Sequence, residues 1–295
     1  MKRMLKTVLC LLLCIGCTAL PAAELPAAPS AAPTLEPDTA EYVVEAEVEV
    51  LTAPPAPTPV PTPEPTATPT PTPTSEPTPT PEPTKDPHRP MVALTFDDGP
   101  NLTLTEPVLE KLREYNVVAT FFLLASAIND KTGPMLQHMV DQGCEIGVHG
   151  LNHNRMVNFS SSINAKRLKA AAKEISGWIE GGYQPHTMRP PGGKYNSDVL
   201  QGAKSAEMAV ILWSVDTLDW KTQNVKKIMD VVKADTTDGA IILCHDHHKP
   251  TLDALDEMIP WLLEQGYELV TVSELLESSE QGLVYGKLYR QKPNP

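Results

Sequence analysis

From Met91 onward, short apolar runs alternate with amphipathic stretches of helical period. Val92 to Phe96, Val117 to Leu124, Cys144 to Val148, Ala209 to Val215, Ala240 to Cys244 and Glu268 to Val270 read as buried strands. Their apolar residues run nearly unbroken, as in strands covered on both faces. Between them, Glu106 to Tyr115, Pro134 to Gln142, Asn164 to Glu180, Val225 to Ala234 and Leu252 to Gln265 carry apolar residues three and four apart. In the first of these, Val108, Leu109 and Leu112 share one side. Strand and helix in alternation predict an α/β fold with parallel strands and outer helices. This part runs to roughly 190 residues, short of the ~250 of a full eight-fold barrel. The expectation is therefore a distorted or incomplete (β/α) barrel resembling a TIM barrel.

Upstream of it the pattern is different. Residues 1–23 have the anatomy of an export signal: Lys2, Arg3 and Lys6, an apolar run from Thr7 to Leu20, then small residues around Pro21, Ala22 and Ala23. An uncleaved membrane anchor is the competing reading, though the run is short of the ~20 apolar residues of a span. Lipidation at Cys17, after Ile15 and Gly16, is a minor option. Residues 24–87 read as an unfolded linker; the strand-like alternation after Val44 has nothing nearby to pair with. Leu51 to Pro90 holds 16 of the 31 prolines, mostly in Pro-Thr repeats. Proline fixes φ and favours extended polyproline II, so this is a semi-rigid spacer or tether. Residues 88–295 form the expected catalytic domain, and the chain is expected to be exported, secreted or cell-surface associated.

The formal net charge is −13. That disfavours nucleic acid as a partner, and any membrane contact is expected only through the leader. Of five cysteines, Cys144 and Cys244 lie in the folded part, each within an apolar run. Free buried thiols are expected there, with a disulfide left open.

In folds of parallel strands the loops after the strands carry the chemistry. After the first strand stand Asp97 and Asp98, whose side chains should point oppositely on an extended chain. After the third come His149 and His153, four apart and on one face if that segment is helical. Two histidines and a carboxylate can hold a divalent ion with open positions. Asp216, Asp219 and Trp220 follow one later strand; His245 and Asp246 follow another. A carboxylate beside His245 would favour its proton-donating form. Arg189 precedes a stiff turn and, near Asp97, would keep that carboxylate ionised.

The segment Thr95 to Asp246 resembles a polysaccharide deacetylase domain of the NodB-homology type, carbohydrate esterase family 4. The resemblance implies Asp97 as base and Asp98, His149 and His153 as metal ligands. It implies Arg189 orienting the base, His245 as acid and Asp219 tuning that acid beside Trp220, with Leu243 in the last motif. Zinc is the expected metal, with cobalt, manganese and iron also suited to such ligands. The backbone N–H near Gly192 would help hold the oxyanion. The implied activity is hydrolysis of N-acetyl groups on a sugar polymer, foremost N-acetylglucosamine in peptidoglycan. Acetylated xylan and chitooligosaccharides are alternatives within the same chemistry; a non-catalytic wall-binding module is one outside it. Asp246, His247 and His248 also spell a phosphoesterase signature, without its companion aspartates. The chain departs from the family pattern at Val148 and Gly150, where a hydrogen bond orienting a ligand could be lost. At Gly192 an aromatic wall is missing, for which Tyr195 is a candidate replacement.

Overall fold

The computed structural model describes residues 89–293. The expected leader and linker, including Cys17, lie outside the described residues. The strands are β1 (Met91–Asp97), β2 (Thr120–Leu124), β3 (Glu145–Gly150), β4 (Thr187–Met188), β5 (Ala209–Ile211), β6 (Val215–Asp216), β7 (Ile241–His245), β8 (Glu268–Leu269) and β9 (Leu288–Tyr289). The helices are α1 (Thr105–Glu114), α2 (Pro134–Asp141), α3 (Ser161–Ser176), α4 (Ser197–Ser205), α5 (Asp219–Thr222), α6 (Val225–Asp235), α7 (Lys249–Glu264) and α8 (Val272–Glu277). Among the described residues no helix is long and apolar enough to cross a membrane.

All the strand pairings are parallel, in the order β6-β7-β1-β2-β3-β4-β5-β9, with β8 alongside the start of β1. Covalent connectivity forces this sheet to curl. Laid flat, the seven strands from β6 to β5 would span about 29 Å at ~4.8 Å per step. Yet Ile211 and Val215 are joined by only four Cα steps, a reach of at most ~14 Å. The seam is laced by isolated bonds: Leu212 N–H donates to the Tyr289 carbonyl (2.7 Å) and Ser214 N–H to the Ile241 carbonyl (3.1 Å). Ala240 and Gln291 add one antiparallel bridge. The result is the incomplete barrel that strand–helix alternation and length predicted.

Side chains sort by the strand period of two. Val92, Leu94 and Phe96 of β1 point outward into the core that includes Val108, Leu109 and Leu112 of α1 and Leu168 of α3. Ala93 points inward and joins Phe122, Ala209, Ile211, Ile241 and Tyr289. Val272, Leu275 and Leu276 of α8 complete that inner cluster. A capping box starts α8, with Thr271 and Glu274 bonding each other's backbone N–H groups. Thr95 and Asp97 continue the inward row of β1, so the barrel interior becomes polar toward the strand ends.

The expected long strand from Ala209 to Val215 is two short ones, because the chain crosses the barrel seam between them. The predicted helix Asn164–Glu180 begins three residues earlier and stops at Ser176. Glycine ends it, and Gly181 and Gly182 follow in the left-handed region. Strands β4 and β9, with two residues each, gave no periodic signal. Cys144 and Cys244 are free and buried. Burial pushes the Cys144 thiol up to about 11 and that of Cys244 well above its usual value.

Candidate active site

The C-terminal ends of β1, β3, β6 and β7 open into a cavity of about 540 Å³. Asp97, Asp98, His149, His153, Gly192, Trp220, Leu243 and His245 line it, together with Arg155, Trp213, Asp216 and His247. Asp97 is the last residue of β1. Asp98 leaves the strand at φ 75°, and this left-handed turn brings its side chain to the same cavity instead of the opposite face. Likewise, His149 and His153 do not sit on a helical turn. His149 is the penultimate residue of β3, Gly150 ends the strand at φ 118°, and a bend delivers His153. A Cβ at position 150 would lie 3.2 Å from the Asn152 carbonyl oxygen, so the tight bend and the dihedral both favour glycine.

Asp98 Oδ1 stands 3.4 Å from His149 Nε2 and 3.6 Å from His153 Nε2. A tetrahedral ion with ~2.0–2.1 Å bonds needs ligand separations near 3.4 Å, which these two distances approach. Asp98 Oδ1 is also buried with no hydrogen-bond partner, a costly arrangement unless a cation completes it. Burial alone would raise the Asp98 pKa, but His149, His153 and His245 outweigh it and hold it at about 2. His149 Nδ1 lies 2.8 Å from the Arg189 carbonyl. A carbonyl can only accept, so Nδ1 bears a proton, and Nε2 is the nitrogen turned toward Asp98. The orienting bond put in doubt at Val148 and Gly150 is thus supplied by backbone.

Behind the cavity Arg189 is wholly buried. Its Nη1 donates to Asp97 Oδ1 (2.7 Å) and Thr95 Oγ (2.8 Å), its Nη2 to the Leu212 carbonyl (3.0 Å). Burial pulls the guanidinium pKa down and Asp97 opposes that pull. With Oδ1 held by arginine, Asp97 Oδ2 is left facing the ligand set, 3.9 Å from His149 Nε2. The guanidinium carbon sits 4.3 Å from the Phe122 ring centroid and 5.6 Å from that of Trp213.

Across the cavity, His245 Nδ1 bonds Asp219 Oδ1 at 2.8 Å. Asp219 is fully buried and also accepts from the His245 N–H, the Trp220 N–H and Thr251 Oγ. Burial would raise its pKa, yet these donors lower it. Burial pulls the His245 pKa down, but Asp219 and the more distant Asp97 and Asp98 lift it above the ordinary imidazole value. The free edge of an imidazole held by its Nδ1 is Nε2, the atom available for proton donation.

Leu243 is buried in the cavity wall, and Trp220 is half exposed at its rim. Gly192 takes φ 65°, and a Cβ there meets nothing within 4 Å. That opening is not closed by Tyr195, which is exposed and does not line the cavity. Trp213 provides an aromatic wall instead. Its ring packs on Gly193, where a Cβ would approach it to 2.7 Å. Nothing in the strand pattern marked Trp213, because its placement follows from the seam crossing. His247 lines the cavity with its Nδ1 buried and without a hydrogen-bond partner. Asp246 is buried beneath the site; Thr105 Oγ donates to it, and burial pushes its pKa up to about 7.

The sequence model for polysaccharide deacetylases matches residues 84–211. A peptidoglycan-N-acetylglucosamine deacetylase of Listeria monocytogenes is 39% identical over 68% of this chain, which spans only 41% of that relative. A peptidoglycan-N-acetylmuramic acid deacetylase of Bacillus subtilis is also 39% identical, over 65% of this chain and 40% of its own length. A Bacillus cereus peptidoglycan-N-acetylglucosamine deacetylase is 36% identical over 63% of this chain and 88% of its own. Among solved structures, a Bacillus subtilis peptidoglycan deacetylase superposes with a TM-score of 0.61 at 39% identity, covering 66% of this chain and 94% of that one. A family 4 acetyl xylan esterase from Clostridium thermocellum, in complex with cobalt, has a TM-score of 0.63 at 33% identity, covering 69% of this chain and all of that one. With near-complete coverage of such domain-sized relatives at more than 30% identity, the chain belongs to the polysaccharide deacetylase family.

Proposed function

We propose that this domain hydrolyses the acetamide of N-acetylated sugars in a polymer, and that N-acetylglucosamine of peptidoglycan is its substrate. One observation carries the reading. A carboxylate fixed by a buried arginine and a histidine fixed by a buried carboxylate flank a single Asp/His/His set within one cavity. Asp98, His149 and His153 would hold a divalent ion, with zinc the first choice for the donor set and cobalt, manganese or iron acceptable. When bound, the ion would activate water and polarise the acetamide carbonyl.

The chain's own groups divide the remaining work. Asp97 takes the proton of the attacking water on Oδ2, while Arg189 keeps it ionised and aimed. His245 donates a proton to the departing sugar amine, and Asp219 holds it charged and oriented. A backbone N–H near Gly192 would stabilise the developing oxyanion. Trp213, Trp220 and Leu243 give the acetyl group apolar walls. Relatives that act on peptidoglycan support the polymer, and the signal-like start and proline-rich linker of the sequence support action outside the cell.

Acetate release from zinc-loaded protein tests this on peptidoglycan, N-acetylglucosamine oligomers and acetylated xylan. Release from peptidoglycan or the oligomers is expected. Acetate from xylan alone would redirect the reading to O-acetyl esters, and none from any substrate would leave a non-catalytic binding module.

A further inference from the structure

We propose that Arg155 reads a carboxylate on the glycan, so that the cavity prefers an acidic, muramic acid-containing polymer over neutral ones. This rests on the function proposed above and specifies its substrate. Arg155 lies two residues beyond the ligand His153 and lines the same cavity. Its guanidinium is exposed and makes no hydrogen bond or ion pair among the described residues. The acidic groups of the cavity each have a partner. Asp97 holds Arg189, Asp98 faces the two histidines, and Asp216 accepts from the Leu218 N–H.

The backbone beside Arg155 is pinned. Met156 is buried, and Asn164 Nδ2 donates to the Met156 carbonyl (3.1 Å). The Arg155 carbonyl accepts from the Asn158 N–H (3.3 Å). The guanidinium therefore swings from a fixed root at the cavity wall. Charge is also sorted across the mouth. Arg155 follows β3 and Asp216 ends β6, with β7, β1 and β2 between those strands. An acidic substituent would be drawn to the β3 side and repelled from the β6 side. In a chain of formal net charge −13, an uncommitted arginine at this position is a recognition group.

Chitin fragments and xylan backbones present hydroxyls there. Peptidoglycan presents carboxylates, either the lactyl acid of a bare muramic acid or the acids of a stem peptide amide-linked to it. Planar, bidentate pairing suits arginine to both.

The test compares kcat/KM of zinc-loaded wild type, Arg155→Ala, Arg155→Lys and Arg155→Glu on three substrates. These are neutral chitooligomers, peptide-free glucosamine–muramic acid oligomers with both amines acetylated, and muropeptides. The readout is the ratio of acidic to neutral kcat/KM, which general damage to the fold does not move. Arg155→Ala is expected to lower that ratio roughly five- to tenfold, through KM, with Arg155→Glu lower still and Arg155→Lys between. Added salt should erode the wild-type ratio and leave that of Arg155→Ala flat. A fall confined to peptide-free oligomers assigns the lactyl acid; a fall on muropeptides assigns the stem. An unchanged ratio in Arg155→Ala, or a wild type without acidic preference, overturns the inference while leaving the deacetylase reading standing. Absence of acetate from every substrate overturns the deacetylase reading itself.

Discussion

Gly147 faces Phe122 so closely that a Cβ at position 147 would lie 2.6 Å from the aromatic ring. The same ring lies beneath the Arg189 guanidinium, which in turn holds Asp97. A missing side chain on β3 is thus what lets the candidate base be aimed from β1. Gly147→Ala should displace Phe122 and cost about 1–3 kcal/mol of stability. Acetate release should fall further than the loss of folded protein accounts for. Thermal melts read beside kcat on the folded fraction check this.

Metal binding and catalysis should separate by residue. His149→Ala is expected to lose zinc uptake and activity together. Asp97→Asn should retain zinc at near one per chain and lose activity, since it keeps the shape and removes the basic oxygen. Elemental analysis after dialysis, paired with acetate release, checks both; turnover retained in either variant would contradict the assigned roles.

The His245–Asp219 pair is expected to set the alkaline side of the pH profile. The His245 pKa is raised above its unfolded value, so its charged form is favoured by folding. The stabilisation is complete below the ordinary imidazole value and is lost as pH rises through the raised one. Asp219→Asn removes the charge that raises it, so the alkaline limb of kcat/KM should move to lower pH. A pH–rate profile of the two proteins measures the shift.

Asp246 is shifted in the same direction, but there it is the neutral form that folding favours. Its pKa is raised from 3.8 to about 7, so folding favours the protonated form. In metal-free protein its contribution to stability should fall as pH rises from about 4 to 7 and then level off. Asp246→Asn removes that slope. The variant should gain in melting temperature relative to wild type on moving from pH 4 to pH 8, as paired melts would show.

Much of the site was legible because parallel strands bring their C-terminal ends together. Asp97, His149 and His245 each stand at such an end, and the apolar runs before them located it. What strand period could not give was backbone handedness. Asp98 at φ 75° and Gly150 at φ 118° bring together groups that an extended segment would separate. Nor could local pattern place Trp213 or Phe122 near Arg189, since that depends on how far the sheet curls. Tyr195 looked suitable by proximity in sequence to Gly192, but it stands exposed beyond the cavity lining.

The position of β1 between β2 and β7 has a consequence for how the chain acquires its chemistry. Thr95 Oγ donates to the carbonyl of Ile242, 147 residues away, and β8 closes on Met91 and Val92 from further still. A growing chain released as far as β5 carries Asp97 and the whole ligand set, but it has neither His245 nor one flank of the strand that presents the base. Such distant pairings are slow to form. The candidate acid, base and ligands therefore come into register only once β7 has been made, and a product ending at β5 would lack the candidate proton donor.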